Sequence, residues 1–323
     1  MNIRLRKETG RMSNKYSKWN LADTYRKRNK DVVSVFQGQE MCFFQYKATQ
    51  VYSINAYIEY HHSALDNLDI EILCRIMSSH AIVMEQLYCY LYIQGLDVSY
   101  TELTQRLKVL LSKSFIRKGM VINGKEKTFL NHLYYENLEF YEIAPAGERF
   151  LKNMGIPISG AKKYNDSAIN ISWYEYIKAS IMYNQVVLKL LLNNPHIRDF
   201  CLHVVFKDKN MKEIYVPLVI NTDKKMYVFE FVRGTSEGKR MLTEKYLKWR
   251  KYPKVKGREV NLVFLCENDY HMELMASHIK NIAENNSLKM YFTFDKLWFG
   301  LENEKISSFN VDERCLGHHR SLQ

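Results

Sequence analysis

From Leu68 onward, apolar residues recur at helical spacing. Ile70, Leu73, Ile76 and Met77 fall at i, i+3, i+6 and i+7 and form one stripe. After Ser78-Ser79-His80 a second helix turns Met84, Leu87 and Leu91 inward, and Gly95 is placed to stop it. Ser99-Tyr100-Thr101-Glu102 has the form of a capping box. Ser99 can accept from the third-position amide, and Glu102 can reach back to the amide of Ser99. The helix it starts runs to about Lys113, with Leu103, Leu107, Leu110 and Leu111 inward. The face opposite that stripe carries Thr101, Gln105, Lys108 and Ser112, all polar and none acidic. Phe115 to Ile122 then alternates as a strand. Asn123-Gly124 is a strong hairpin signal, and the tip and returning strand carry Lys125 and Lys127. A short strand, Phe140 to Ile143, leads through Pro145-Ala146-Gly147 into a short helix that ends near Gly155.

The second half has a different rhythm. Residues 156–168 are polar and turn-rich, which predicts a linker. A long helix follows, from about Asn170 to Leu192, stopped by Asn193-Asn194-Pro195. Three strand-like segments come next, Phe200–Phe206, Glu213–Ile220 and Met226–Val232, with a turn at Thr222-Asp223-Lys224-Lys225. A charged helix (Glu237–Lys251), an apolar strand (Val260–Cys266), a helix (Tyr270–Glu284) and a strand (Leu288–Phe294) complete the series. Residues 31–65 mix short apolar and aromatic runs that fit strands or a helix packing on the next module. No internal repeat is present.

Composition adds a partner class. The chain has 323 residues, room for two domains, and a formal net charge of +12, which favours an acidic polymer or anionic surface. The charge is concentrated at the start. Residues 1–30 hold Arg4, Arg6, Lys7, Arg11, Lys15, Lys18, Arg26, Lys27, Arg28 and Lys30 against Glu8 and Asp23, a basic arm with no apolar run behind it. No segment is apolar enough to predict a membrane span. The six cysteines (Cys42, Cys74, Cys89, Cys201, Cys266, Cys315) form no CxxC pair, which points to free core thiols in a reducing cytoplasm, without disulfides or zinc. His61-His62 and His318-His319 lack partners at metal-ligand spacing. Gly234-Thr235-Ser236-Glu237-Gly238-Lys239 lacks the spacing of a phosphate loop. Trp173, Trp249 and Trp298 lie in apolar patterns and are expected in the core, and Tyr88-Cys89-Tyr90-Leu91-Tyr92 is expected to pack rather than stack on bases.

Helix, helix, capped helix, basic hairpin is the order of a winged helix. The third helix fits the DNA major groove, where Thr101, Gln105, Lys108 and Ser112 would face base edges. Arg117, Lys118, Lys125 and Lys127 would meet flanking phosphates. Winged helices also dock proteins, so a relaxase or replication initiator is a second kind of partner. The order of the second half resembles the restriction-endonuclease-like core. Catalysis there needs an aspartate on the second strand, an acid two residues before a lysine on the third, and a divalent metal. Here Leu218 stands at the aspartate position and Val232 at the lysine position. Glu230 is in place, and Lys245 on the next helix is the remaining amine. Asp223 is a weak substitute carboxylate.

Several segments together resemble the replication-relaxation family of mobile elements in Gram-positive bacteria. They are Glu71–Met77, Met84–Leu91, Thr104–Phe115, Ala144-Pro145-Ala146-Gly147-Glu148-Arg149-Phe150-Leu151, Val216-Pro217-Leu218, Phe229-Glu230-Phe231-Val232-Arg233-Gly234-Thr235 and Lys245-Tyr246-Leu247-Lys248-Trp249, spread over about residues 66–266. The resemblance implies a DNA-binding accessory factor in plasmid replication, mobilisation or conjugative transfer. The expected class is α+β. A basic arm and unassigned segment (1–65) precede a winged helix-turn-helix (66–155), a linker (156–168), an inactive restriction-endonuclease-like domain (169–300) and a tail (301–323). The expected partner is double-stranded DNA. No cofactor, metal or membrane partner is expected, Glu230 and Lys245 are vestigial candidates, and the alternative is a metal-dependent nuclease.

Overall fold

The computed structural model describes residues 39–44, 65–123, 138–156, 173–193, 199–207, 213–233, 236–266, 269–280, 282 and 288–294. The chain is of mixed α+β class. Its described residues fall into two compact units, the first within 39–156 and 173–184, the second within 185–294.

The first unit contains β1 (Gln39–Phe44), α1 (Asn67–Ser79), α2 (Met84–Ile93), α3 (Tyr100–Ser112), β2 (Ile116–Asn123), β3 (Leu138–Ile143), α4 (Pro145–Asn153) and the start of α5 (Trp173–Asn193). A reciprocal capping box opens α1. Asp66 accepts from the Asp69 amide at 2.9 Å, and Asp69 accepts from the Asp66 amide at 3.2 Å. The same device, expected at Ser99 and Glu102, is only half made. The Ser99 hydroxyl accepts from the Glu102 amide at 3.1 Å, but the Glu102 carboxylate turns to Arg106. An ionic partner one turn along outcompetes a backbone amide that water can satisfy. Gly95 ends α2 as expected, in the left-handed region at φ 80°, where a glycine carries no Cβ penalty.

Ile72, Leu73 and Ile76 of α1, Leu87 and Leu91 of α2, and Leu103, Leu107 and Leu110 of α3 are buried with Phe115, Phe140 and Phe150. Burial of each leucine is worth roughly 1.5–3 kcal/mol, so the three on α3 fix its rotation about its own axis.

β2 is the central strand of the sheet, antiparallel to β1 (Gln39↔Asn123 to Phe44↔Lys118) and to β3 (Ile116↔Ile143 to Val121↔Leu138). β1 pairs one edge of β2 from Lys118 to Asn123 and β3 the other from Ile116 to Val121, while the returning strand expected after Asn123-Gly124 lies outside the described residues. Part of the unassigned 31–65 stretch supplies β1 to this unit. Gly119 lies opposite Phe140, and a Cβ there would stand 2.3 Å from the phenyl ring, so a side chain at this position would have to displace the buried ring. The connection between α1 and α2 bridges the free edge of β3, with Ile82 and Tyr141 exchanging backbone bonds of 3.1 and 2.8 Å.

Every residue of α5 from Tyr176 to Leu190 is buried. Its first part, to Asn184, belongs to the first unit, whereas the expected second domain began at 169. The reason is a polar network that periodicity does not show. The Asn184 amide donates to the carbonyls of Ser79 (3.1 Å), Ala81 (3.0 Å) and Ser180 (2.9 Å), and its oxygen accepts from the Tyr90 hydroxyl at 3.2 Å. Gln86 donates to the Ile181 carbonyl at 2.9 Å, and Tyr176 pairs with His80. The Asn184 bonds give partners to the Ser79 and Ala81 carbonyls at and just past the end of α1.

The second unit holds β4 (Asp199–Lys207), β5 (Glu213–Asn221), β6 (Lys225–Val232), α6 (Ser236–Trp249), β7 (Lys254–Val255), β8 (Arg258–Cys266), α7 (Asp269–Lys280) and β9 (Lys289–Phe294). Strands β4, β5 and β6 are antiparallel neighbours; β6, β8 and β9 run parallel, and β7 is a short antiparallel addition to β8. Strands β6 and β8 are near-continuous apolar runs because both faces are buried. Leu242, Tyr246 and Trp249 of α6 and Met272, Met275 and Ile279 of α7 share a core with Val228, Val232, Leu262, Phe264 and Phe292. Trp249, at 1% exposure, is in the core as expected, whereas Trp173 and Trp298 lie outside the residues whose side chains are described. No helix among the described residues is long and apolar enough to cross a membrane.

Candidate nucleic-acid interface and the buried carboxylate–lysine pair

The structure brings together the polar face expected on α3. Thr101, Gln105, Lys108 and Ser112 lie on the side turned away from Leu103, Leu107 and Leu110, which point inward, and all four are exposed. The Ser112 hydroxyl is bonded back to the Val109 carbonyl at 2.8 Å. No described residue engages Thr101, Gln105 or Lys108. The charges beside this face are consumed internally. Arg106 binds Glu102 at 3.1 Å, Asp66 at 2.8 Å and Asp69 at 3.1 Å, tying α3 to the capped start of α1. These carboxylates hold the Arg106 guanidinium above its ordinary value, against the cost of partial burial. Thr104 donates to the Tyr100 carbonyl at 2.8 Å. The polar groups of α3 thus divide into a committed set and an uncommitted, acid-free set.

The strand cations do not stand bare. Arg117 on β2 pairs at 2.8 Å with Glu142 directly across the ladder, and Lys118 pairs at 2.6 Å with Glu139. The basic hairpin expected from the sequence is therefore a mixed-charge sheet at these two positions. The partner strand sets Glu142 opposite Arg117 and Glu139 diagonally from Lys118, and these acids could have been suspected only once β3 was paired with β2. Glu142 is buried, and desolvation pushes its carboxyl up to about 7 against the pull of Arg117. Lys125 and Lys127 lie outside the described residues.

In the second unit the two residues singled out as vestigial meet. Lys245 of α6 pairs with Glu230 of β6, which is 2% exposed. Burial pushes the Glu230 carboxyl up, opposed by Lys245, Lys248 and a hydrogen bond from Trp249. Leu218 pairs in register with Phe229, so it shares that residue's face of the sheet, and Glu230 lies on the other. The position equated with a catalytic aspartate is thus one register step away from the carboxylate it should join. Val232 shares the face of Glu230, but it is 2% exposed and packs in the apolar core. Asp223 is exposed in the turn between β5 and β6.

Two neighbours were not anticipated. The His203 imidazole lies 2.5 Å from the Tyr215 hydroxyl, and burial together with Glu230 raises the Tyr215 phenol well above its ordinary value. A histidine and a tyrosine on separate strands leave no spacing signature. Among the described residues no group of three His, Cys, Asp or Glu side chains could hold a metal ion. Described Cys74, Cys89, Cys201 and Cys266 are free thiols, and burial pushes Cys74 up to about 11.

No protein-family model matches the chain, and no curated protein matches it. Among solved structures it is similar to protein VC1899 from Vibrio cholerae, at a TM-score of 0.30 and 12% identity, over 83% of this chain and 57% of that one. The chain therefore spans little more than half the length of that protein.

Proposed function

We propose that this chain is a DNA-binding protein that engages duplex DNA through a winged helix-turn-helix formed by α1, α2, α3 and the β1–β3 sheet. The observation that carries this reading is the uncommitted face of α3. Thr101, Gln105 and Lys108 are exposed and unengaged, while Glu102, Asp66 and Asp69 are already held by Arg106. A helix about 10–12 Å across enters a major groove about 12 Å wide, and its polar side chains then meet base edges. The net charge of +12 supplies the attraction to phosphate. The motif resemblance adds an accessory role in replication, mobilisation or conjugative transfer of a mobile element, with a relaxase or initiator as protein partner. The test is a mobility shift on duplex DNA at low salt. Lys108→Glu should weaken the shift at least about tenfold, and an unchanged shift would remove α3 from the interface.

A metal-dependent nuclease in the second unit is the competing reading, favoured by the Glu230–Lys245 contact. The pair weakens it as well as suggesting it. The described site holds one carboxylate, buried and already neutralised by an ammonium group, and Mg²⁺ prefers several hard oxygen ligands. We favour an inactive nuclease-like shell. Supercoiled plasmid incubated with the protein and Mg²⁺ or Mn²⁺ should stay intact. Nicking that Glu230→Ala abolishes would establish the nuclease instead.

A further inference from the structure

Val109 is 43% exposed, on the same α3 face as Gln105 and Lys108. An exposed valine in a helix is unfavourable on two counts. It loses side-chain freedom against the preceding turn, and it leaves apolar surface in water. The core gains nothing from it, because Leu103, Leu107 and Leu110 already fill the inward face. Its position is nonetheless specific. Gln105 and Val109 are four residues apart, so their Cβ atoms lie roughly 5–6 Å from each other on one stripe. That spacing is about one to two base-pair rises, so the two side chains address the same or neighbouring pairs.

We infer that Gln105 and Val109 form a base-reading pair for an A·T-containing step in the major groove. This deepens the proposed DNA binding and rests on it. The chemistry of each side chain selects its target. The Gln105 amide has a donor and an acceptor in the geometry that matches N6 and N7 of adenine. The branched methyls of Val109 match the C5-methyl of thymine, the one apolar group that a base edge offers in that groove. Lys108 between them is a point charge suited to a guanine edge or a phosphate. Arg106 and Thr104, held by partners inside the protein, contribute no base contact.

The experiment uses the full chain and a pool of randomised duplexes. Selected sites should contain an A·T step at a fixed position. Replacing its thymine by deoxyuridine removes only the methyl group and should weaken binding by about fourfold, the worth of one buried methyl-sized group. Replacing the adenine by 7-deazaadenine should weaken binding as well. Val109→Ala should bind thymine and deoxyuridine sites equally while retaining its response to 7-deazaadenine, and Gln105→Ala should show the reverse. Val109 is exposed and alanine favours helix, so the variant should fold. Selection without any A·T preference, or a Val109→Ala variant that still distinguishes thymine from deoxyuridine, would overturn the inference and leave DNA binding standing. Failure to retain any duplex at low salt would overturn DNA binding, and the base-reading pair with it.

Discussion

Glu142→Gln should change how the stability of the chain depends on pH. In the folded protein the Glu142 carboxyl is buried on β3, 2.8 Å from Arg117, and titrates near 7 rather than at the ordinary 4.5. Between those two values the folded chain holds a proton that the unfolded chain has released. Stability contributed by this group is therefore full below about 4.5, falls as the pH rises, and levels above about 7. At about 1.4 kcal/mol per pH unit the loss is on the order of 3 kcal/mol. A glutamine side chain does not titrate, so the variant should lose this component. Glu230 is also pushed up by burial and tilts the curve the same way, so the variant's own profile should keep some slope. The informative quantity is the difference between the two proteins. Urea midpoints followed by circular dichroism from about pH 4.5 to 8 would measure it. The variant should gain on the wild type steadily to about pH 7 and then run parallel. Two profiles that stay parallel across the whole range would refute the assignment.

Two further outcomes test other parts of the account. Asn184→Leu strips partners from the Ser79 and Ala81 carbonyls and the Tyr90 hydroxyl, and should cost about 2–4 kcal/mol in urea unfolding; a loss under about 1 kcal/mol would show that water replaces the amide. Lys245→Met leaves the buried Glu230 without its cation and should cost about 3–5 kcal/mol, most of it recovered in the Lys245→Met, Glu230→Gln double variant; a double variant as unstable as the single would deny the pairing.

The elements that were legible in the sequence are those set by local rules. The stripe Leu103, Leu107, Leu110 with the Ser99 cap placed α3 to within a residue at each end, and the opposite face came out turned to solvent. Gly95 marked the end of α2 for the same reason. What stayed illegible depends on partners distant in the chain. Residues 39–44 carry no periodicity that announces pairing with 118–123, and so the sequence leaves the 31–65 stretch unassigned. Glu139 and Glu142 acquire meaning only when β3 is laid beside β2. Asn184 lies in an apolar helix, and its role depends on open carbonyls at the end of α1. Leu218 shows the limit of motif alignment, since the residue type was compared correctly while the register that decides its face was not visible. The Asp66-Asn67-Leu68-Asp69 box did have a signal, an acid three residues after a capping residue just before an apolar run.

The most direct test of the central claim is the salt dependence of duplex binding by fluorescence anisotropy, comparing the wild type with Lys108→Glu. With about six to ten phosphate contacts, wild-type affinity should fall ~10³–10⁵-fold between about 50 and 200 mM salt, linearly in a double-logarithmic plot. Lys108→Glu should bind more weakly throughout and with a shallower slope. Binding that is indifferent to salt, or identical in the two proteins, would contradict the claim that α3 carries this chain onto DNA.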